Sequence, residues 1–317
     1  MTRSPELLVI VGPTGTGKSG LAVRVAERVG GEIIGCDAIQ VYRGLDVATA
    51  KATADERDRV PHHLVDCVAP SVDYTLADYV RDADRAVADV AGRGRTPIVV
   101  GGTGLYLRGL LRGVIEAPAR QPVLRARLHR LADRHGPQRL HRWLCRLDPG
   151  TASRLGPGDS QRIVRAIELG LSGGTWSRRL AEQGTWSDSA ERYPTRKFGL
   201  DCERETLHAR LDARVLGFFE RGLVDEVRRL LASGLAPEAN AFKAIGYREV
   251  IRALAAGDDP ALVREQVARN TRRYAKRQRT WFRSEPGVRW LDAARGEDLA
   301  DEIARSWRGG QEQAAGS

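Results

Sequence analysis

The chain opens on a five-residue apolar run, Leu7 to Val11, rich in β-branched residues. A run without polar alternation predicts a strand buried on both faces, as in a parallel sheet. A glycine-rich polar stretch, 12–19, comes next. From Gly20 to Val29 the apolar positions Leu21, Val25 and Val29 recur at helical spacing. Glu32 to Cys36 predicts a second short strand, which ends at Asp37. Tyr74 to Ala91 puts Leu76, Tyr79, Val80, Ala83 and Val87 on one helical face. Pro97 to Val100 predicts a third strand, ending in Gly101-Gly102-Thr103. Strands alternating with helices predict an α/β core with a parallel sheet.

The pattern changes near Pro118. From Val123 to about Gly174 no strand is evident. Leu124, Leu128 and Leu131, then Leu140, Trp143, Leu144 and Leu147, keep a helical period that Pro149, Gly150, Gly156, Pro157 and Gly158 interrupt. This predicts a helical insertion over 119–197, between a first core segment, 1–118, and a second, 198–308. Phe198 to Asp201 is the expected returning strand. Helices are expected over Leu216–Leu231, Tyr247–Leu254 and Pro260–Arg283, and residues 309–317 read as a disordered tail.

Charge narrows the partners. Lys and Arg number 51 against 41 Asp and Glu, a formal net charge of +10. That excess favours a polyanion. Cys36, Cys67, Cys145 and Cys202 form no C-x-x-C pair and no zinc-finger spacing with histidine. This argues against a metal or disulfide framework and for a reducing, cytoplasmic setting. His62-His63 also lacks partners at metal spacing. The first apolar run is too short for a membrane span and leads into a glycine loop, so neither membrane association nor a targeting segment is expected. Monomer is the default state, with no obligate protein partner.

Gly12-Pro13-Thr14-Gly15-Thr16-Gly17-Lys18-Ser19 fits G-x-x-x-x-G-K-[ST], after a strand and before a helix. The glycines let backbone N–H groups converge on phosphate oxygens, and the helix adds its positive dipole end. Lys18 supplies a point charge and Ser19 a hydroxyl for Mg²⁺. A hydrolytic P-loop enzyme also carries an acid at the end of a further core strand. Here the strand 97–100 ends in Gly-Gly-Thr, and Asp37 is the acid at a nearby strand end. A group transferase is therefore favoured over a hydrolytic motor. Carboxyl ends of parallel strands face the ligand crevice. Asp37 and Thr103 should thus share an edge with the glycine loop, Asp37 as a general base and Thr103 as a hydroxyl near the leaving group. A helix cap or a metal-organising role is the plainer reading of Asp37. The segment 264–283 carries Arg272, Lys276, Arg279 and Arg283 on one helical face, with Tyr274 and Trp281 interleaved. This combination suits RNA phosphates and stacked bases.

Together these residues give the chain a resemblance to the bacterial tRNA dimethylallyltransferases. It rests on residues 12–19, on Asp37 to Lys51, on His62-His-Leu-Val-Asp66 and on Gly101-Gly-Thr-Gly-Leu-Tyr106. It continues in Asp159 to Glu168, Ala244 to Glu249 and Tyr274 to Arg283, all in order along nearly the whole chain. The resemblance implies a P-loop NTPase-like core. It implies transfer of a dimethylallyl group from dimethylallyl diphosphate to N6 of the adenosine 3′ of the anticodon, with Mg²⁺ and release of diphosphate. Diphosphate would sit on residues 12–19, Asp37 and Thr103 would act at the reacting centre, and Ser19 would hold the metal. Contacts to the tRNA anticodon stem-loop are implied at Asp37, Ala38, Ile39, Gln40, Thr103, Arg125, Gln161, Arg162, Ile163, Val164, Arg165, Lys243, Gly246, Tyr247 and Arg248. The insertion would grip the anticodon stem.

Three other functions fit parts of the pattern. An adenylate isopentenyltransferase needs no grip on an anticodon, and the insertion and basic helix argue against it. A P-loop nucleotide kinase would consume ATP without dimethylallyl diphosphate. A non-catalytic RNA-binding protein would be indifferent to loss of Asp37.

Overall fold

The computed structural model describes residues 4–315 apart from 116, 119, 185, 187, 188 and 297. Six parallel strands form one sheet: β1 (Leu7–Val11), β2 (Gly31–Cys36), β3 (His62–His63), β4 (Thr96–Gly101), β5 (Thr195–Asp201) and β6 (Val288–Asp292), in the order β3-β2-β4-β1-β5-β6. All five residues of β1 are buried, as the unbroken apolar run requires for a central strand covered on both faces. Helices α1 (Lys18–Val29), α2 (Ala54–Arg59), α3 (Leu76–Gly92) and α4 (Gly104–Arg112) are threaded between these strands. α3 has a capping box, with Thr75 and Asp78 each satisfying the other's backbone N–H.

The chain divides into two compact units, Met1–Leu111 with Glu191–Ser317, and Arg112–Ala190. The second unit is helical, as expected. It holds α5 (Pro122–His135), α6 (Pro137–Leu147), α7 (Pro149–Ala152), α8 (Ser160–Leu171) and α9 (Trp176–Gln183). Leu128, Leu140, Leu144, Ile163, Val164 and Ile167 form its core. The division falls at 111 and 190, not at the expected 118 and 197. Within the unit, Trp186 donates its indole N–H to the Gly113 carbonyl at 2.9 Å, which joins its first and last segments.

The first unit resumes with β5, three residues earlier than the apolar pattern indicates. Its leading residues are charged but paired: Arg196 with Glu6, and buried Lys197 with Glu191 and Glu285. α10 (Arg204–Glu220) and α11 (Leu223–Ala232) are separate helices, parted at Gly222, whose φ of 85° is left-handed. α12 (Tyr247–Ala256) and α13 (Arg264–Arg283) follow. α14 runs Asp298–Ala315, so a helix takes the place of the expected disordered tail over 309–315; 316 and 317 lie outside the described residues. Leu299, Ala300, Ile303 and Trp307 anchor it in the same apolar cluster as Leu21 and Val25 of α1. Strands β3 and β6 were not evident in the sequence, since one has two residues and the other is a partly exposed edge strand. Among the described residues no helix is long and apolar enough to cross a membrane.

Candidate active site

Three loops leave the carboxyl ends of adjacent strands β2, β4 and β1 and meet. The loop after β1 turns at Gly12, where φ is 140° and a Cβ would stand 2.3 Å from the Leu200 carbonyl oxygen. Thr16 Oγ1 and Lys18 Nζ donate to the Pro13 carbonyl, at 2.9 and 2.6 Å, and close the cradle from within. α1 starts at Lys18 without a side-chain cap, so its first N–H groups are directed at the cradle. Ser19 is exposed beside it.

Asp37 follows β2. Its Oδ1 accepts the N–H groups of Ile39, at 2.9 Å, and Gln40, at 3.2 Å; Oδ2 takes part in neither bond. The cap reading and the base reading are therefore compatible, one oxygen for each. Gln40 turns its own amide onto the carbonyls of Thr49, at 2.9 Å, and Ala50, at 3.0 Å, and braces the loop rather than facing outward. Thr103 follows β4. Its N–H donates to the Cys36 carbonyl at 3.2 Å, and its Oγ1 accepts from Ala38 N–H at 3.2 Å. Gly101 makes this possible, because a Cβ there would lie 2.0 Å from the Cys36 carbonyl oxygen. Burial pushes the Cys36 thiol up to about 12, so it is a packed thiol and not a nucleophile.

Two cations and a phenol complete the cavity, whose volume is about 300 Å³. Lys18 is lowered to about 7 by burial and then by Arg214, against the pull of Asp37. Arg214, on α10, is itself lowered by burial. It reaches Thr14 Oγ1 at 3.4 Å. Tyr274, on α13, hydrogen-bonds Thr103, and burial followed by the Asp37 charge raises its hydroxyl. Gln278, one turn further, accepts from Thr14 N–H and donates to the Gly102 carbonyl, both at 2.9 Å. A second cavity, of about 270 Å³, shares Thr14, Asp37, Arg214 and Tyr274 with the first. It continues past Ile39 to Lys243, Arg248 and Arg277. Asp37 thus stands between a phosphate cradle and a cationic chamber.

Sequence reasoning did not single out Arg214 or Gln278. Arg214 is one of several arginines on α10, and nothing local marks the one that is buried. Gln278 lies within a quoted motif, yet its role depends on two loops more than 170 residues away.

Several expectations change. Asp37 is not the only acid at a nearby strand end: Asp201 closes β5, beside β1. It is already committed, with Oδ2 on Arg279 at 2.8 Å and Arg283 at 3.2 Å, and Oδ1 on Cys202 N–H. Tyr274 faces the cavity, away from the basic stripe, and Trp281 packs on Gly104 under the Arg108 guanidinium, 4.4 Å from its ring centre. Neither aromatic interleaves with Arg272, Lys276, Arg279 and Arg283. Ile163, Val164 and Tyr247 are fully buried, so their side chains pack rather than touch RNA. Tyr247 gives its hydroxyl to Glu226. Gly246 serves as the turn into α12, with φ 100°. In the helical unit, Arg165 pairs with buried Glu168 at 2.6 Å and Arg125 lies 3.9 Å from the same carboxylate. Arg162 pairs with Asp159 at 3.1 Å, and Gln161 is exposed beside it. His63 pairs with Glu32 at 2.7 Å, and His62 pairs with the Val60 carbonyl and lines the first cavity.

Residues 40–285 match the family model described as IPP transferase, and residues 5–63 match isopentenyl transferase. The chain is 44% identical to a tRNA dimethylallyltransferase of Geobacter sulfurreducens, over 96% of this chain and 97% of that one. It is 48% identical to a tRNA dimethylallyltransferase of an Anaeromyxobacter strain, over 90% and 94%. Among solved structures, the tRNA isopentenylpyrophosphate transferase of Bacillus halodurans superimposes with a TM-score of 0.72, at 34% identity and 98% coverage of each chain. A eukaryotic dimethylallyltransferase acting on tRNA gives 0.75, at 29% identity, over 92% of this chain and 74% of that one. The chain belongs to the IPP transferase family, among the tRNA dimethylallyltransferases.

Proposed function

We propose that this protein transfers the dimethylallyl group of dimethylallyl diphosphate to N6 of the adenosine 3′ of the anticodon in tRNA. The observation that carries it is the position of Asp37, between the phosphate cradle and the cationic chamber. The bond that breaks joins the allylic carbon to a diphosphate oxygen, and the bond that forms joins that carbon to N6. Negative charge grows on the departing diphosphate. Backbone N–H groups of residues 15–19, with Lys18 and Arg214, are arranged to meet it. The N6 proton goes to Asp37 Oδ2, the oxygen not used as a cap. Thr103, held by Ala38 N–H and Tyr274, orients the reacting centre. Lys243, Arg248 and Arg277 in the chamber suit phosphates flanking an adenine turned out of its stack.

Mg²⁺ suits the donor set. Ser19 supplies a hydroxyl oxygen next to the cradle, and among the described residues no cluster of three or more carboxylate, imidazole or thiol groups could hold a metal unaided. Ser19 would hold the ion together with the diphosphate oxygens it arrives on, and the ion would neutralise part of the leaving group's charge. A cytoplasmic setting belongs to the same proposal, since the acceptor would be tRNA.

The test incubates purified protein with Mg²⁺, dimethylallyl diphosphate and either an anticodon stem-loop RNA or AMP, then digests the RNA and weighs its nucleosides. Prenylated adenosine from the RNA is the expected result. Prenylation of AMP in preference, or ATP consumption without dimethylallyl diphosphate, would replace the reading with one of its rivals.

A further inference from the structure

The cavity around the phosphate cradle and the cationic chamber meet at Thr14, Asp37, Thr49, Arg214 and Tyr274. Among the described residues that line both, Tyr274 alone carries an aromatic ring. Its backbone belongs to α13, and its hydroxyl reaches Thr103, just past the end of β4. The ring is therefore stretched across the junction and tethered at both ends. Burial and then the Asp37 charge raise the phenol, so it stays neutral and its oxygen stays committed to Thr103. Phe218, the nearest comparable ring, lines the chamber only, with Arg214 and Arg221 over it at 5.6 and 5.8 Å from its centre. Arg277 lines the chamber as well, and its guanidinium lies 5.6 Å from the Tyr274 ring centre. A cation beside the Tyr274 ring is thus a contact the fold already contains.

We infer that the Tyr274 ring is a further catalytic group, which stabilises the positive charge that builds on the dimethylallyl carbons as diphosphate departs; the inference rests on the function proposed above. When the bond between C1 and the diphosphate oxygen breaks, its electron pair leaves with the oxygen. The positive charge left behind spreads over C1 and C3. The N6 lone pair closes the new bond at C1, and the N6 proton passes to Asp37. Through these events the five-carbon fragment lies where both the cradle and the adenine reach it, which is the junction that Tyr274 spans. The fixed charges there do not suffice for it. Lys18 and Arg214 serve the diphosphate and repel a carbocation. Asp37 attracts it, but its Oδ1 is held by Ile39 and Gln40 and its Oδ2 is needed for the proton. A neutral aromatic face attracts a cation and offers it no lone pair to bond. The ring therefore lowers the barrier to departure without capturing the fragment.

The experiment compares the full chain with Tyr274→Leu, with Tyr274→Phe, and with a series that carries progressively fluorinated phenylalanines at the same position. Fluorine drains negative charge from the ring face with little change of shape, so a ring that only fills space does not respond to it. Tyr274→Phe is expected to keep most of the single-turnover transfer rate. Tyr274→Leu is expected to lose about 30-fold, the scale of a desolvated cation–π contact. The fluorinated series should fall steadily between the two, with thermal midpoints held at that of Tyr274→Phe. Binding gives a readout without catalysis. 2-(Dimethylamino)ethyl diphosphate carries an ammonium where the donor carries C3, and 3-methylbutyl diphosphate is its neutral counterpart. Wild-type protein should prefer the ammonium, and the preference should shrink with each fluorine and in Tyr274→Leu. A rate and a preference that ignore fluorine overturn the inference; if the wild type prenylates RNA normally in that case, the reaction stands and the ring has no part in it. Wild-type protein that prenylates no RNA, yet shows a preference that tracks the ring, would sink the reaction and leave the cation contact standing.

Discussion

Gln278 accepts the backbone N–H of Thr14 at 2.9 Å, and so a helix near the end of the chain holds the phosphate loop near its start. The same side chain donates to the Gly102 carbonyl at 2.9 Å. One buried amide therefore fixes the distance between the loop meant for diphosphate and the loop that carries Thr103. α13 is in turn secured at its far end by the Arg108–Glu285 pair, at 3.1 Å, with Arg108 over Trp281.

Replacing Gln278 by Leu keeps the bulk and removes both bonds. Thr14 N–H and the Gly102 carbonyl would then lose their partner, at about 1–3 kcal/mol each if water cannot reach them. Stability should fall by a few kcal/mol. The surviving folded enzyme should also transfer more slowly, since Thr103 is no longer registered against the cradle. Gln278→Glu keeps one acceptor for Thr14 and should lie between. Wild-type turnover in Gln278→Leu, at a temperature where it is folded, would show that the clamp serves stability alone.

Asp37→Asn separates the two jobs of that carboxylate. Asparagine retains an Oδ1 that can accept from Ile39 and Gln40, so the turn after β2 should survive. What it loses is the proton acceptor. Transfer should drop by about 10²-fold or more, the scale of general-base loss, while tRNA affinity stays near wild type. Asp37→Ala loses the cap as well, and its melting midpoint should fall below that of Asp37→Asn. Equal loss of affinity and rate in Asp37→Asn would contradict the role proposed for Oδ2. Single-turnover kinetics with labelled anticodon stem-loop RNA measures both quantities.

The parts of this site legible in the sequence are those whose signal is local. The glycine loop is recognisable because backbone approach to phosphate demands glycine at fixed spacing beside Lys18 and Ser19. Asp37 and Thr103 are recognisable because parallel strands open their carboxyl ends on one edge, and β2, β4 and β1 do lie side by side. Arg214 and Gln278 depend on where helices from distant sequence come to rest, which periodicity does not encode. The same limit explains Trp281: its spacing from Tyr274 does put both rings on one face, but that face turns to Thr103 and Gly104 and not to the basic stripe. Charged β5 residues escaped notice for a related reason, since Lys197 enters the core only because Glu191 and Glu285 come with it.

The glycines of the cradle should not respond alike to alanine. At Gly17, φ is 85° but no atom lies within 4 Å of the added Cβ, so the cost is the left-handed backbone alone, about 1–2 kcal/mol. At Gly12 the new Cβ meets the Leu200 carbonyl at 2.3 Å, where neither backbone can yield without parting β1 from β5. Gly12→Ala should therefore destabilise more than Gly17→Ala by at least about 1 kcal/mol, within the range for overpacking a tight contact. Urea unfolding of the two variants decides this, and comparable midpoints would show that the cradle is more pliant than its contacts indicate.

Lys18 offers the pH signature. Its amine is held near 7 because burial and Arg214 disfavour the charged form more than Asp37 favours it. In an unfolded chain it would titrate near 10.5. The folded value is the lower one, so the unfolded state binds more protons between about pH 7 and 10.5. Across that window the Lys18 contribution to stability improves as pH rises; below about pH 7 the full cost of a buried ammonium is present. Removing the amine as Lys18→Met should thus raise the thermal midpoint more at pH 6 than at pH 9. A bound diphosphate supplies the negative charge that the free cradle lacks, so it should drive the amine's titration upward and leave Lys18 fully charged at pH 7.5. Heteronuclear NMR of the lysine side chains, with and without inorganic diphosphate and Mg²⁺, follows that titration directly. A Lys18 resonance that titrates near 10.5 in the free protein, or that does not move when diphosphate binds, would remove Lys18 from the charge balance argued for the leaving group.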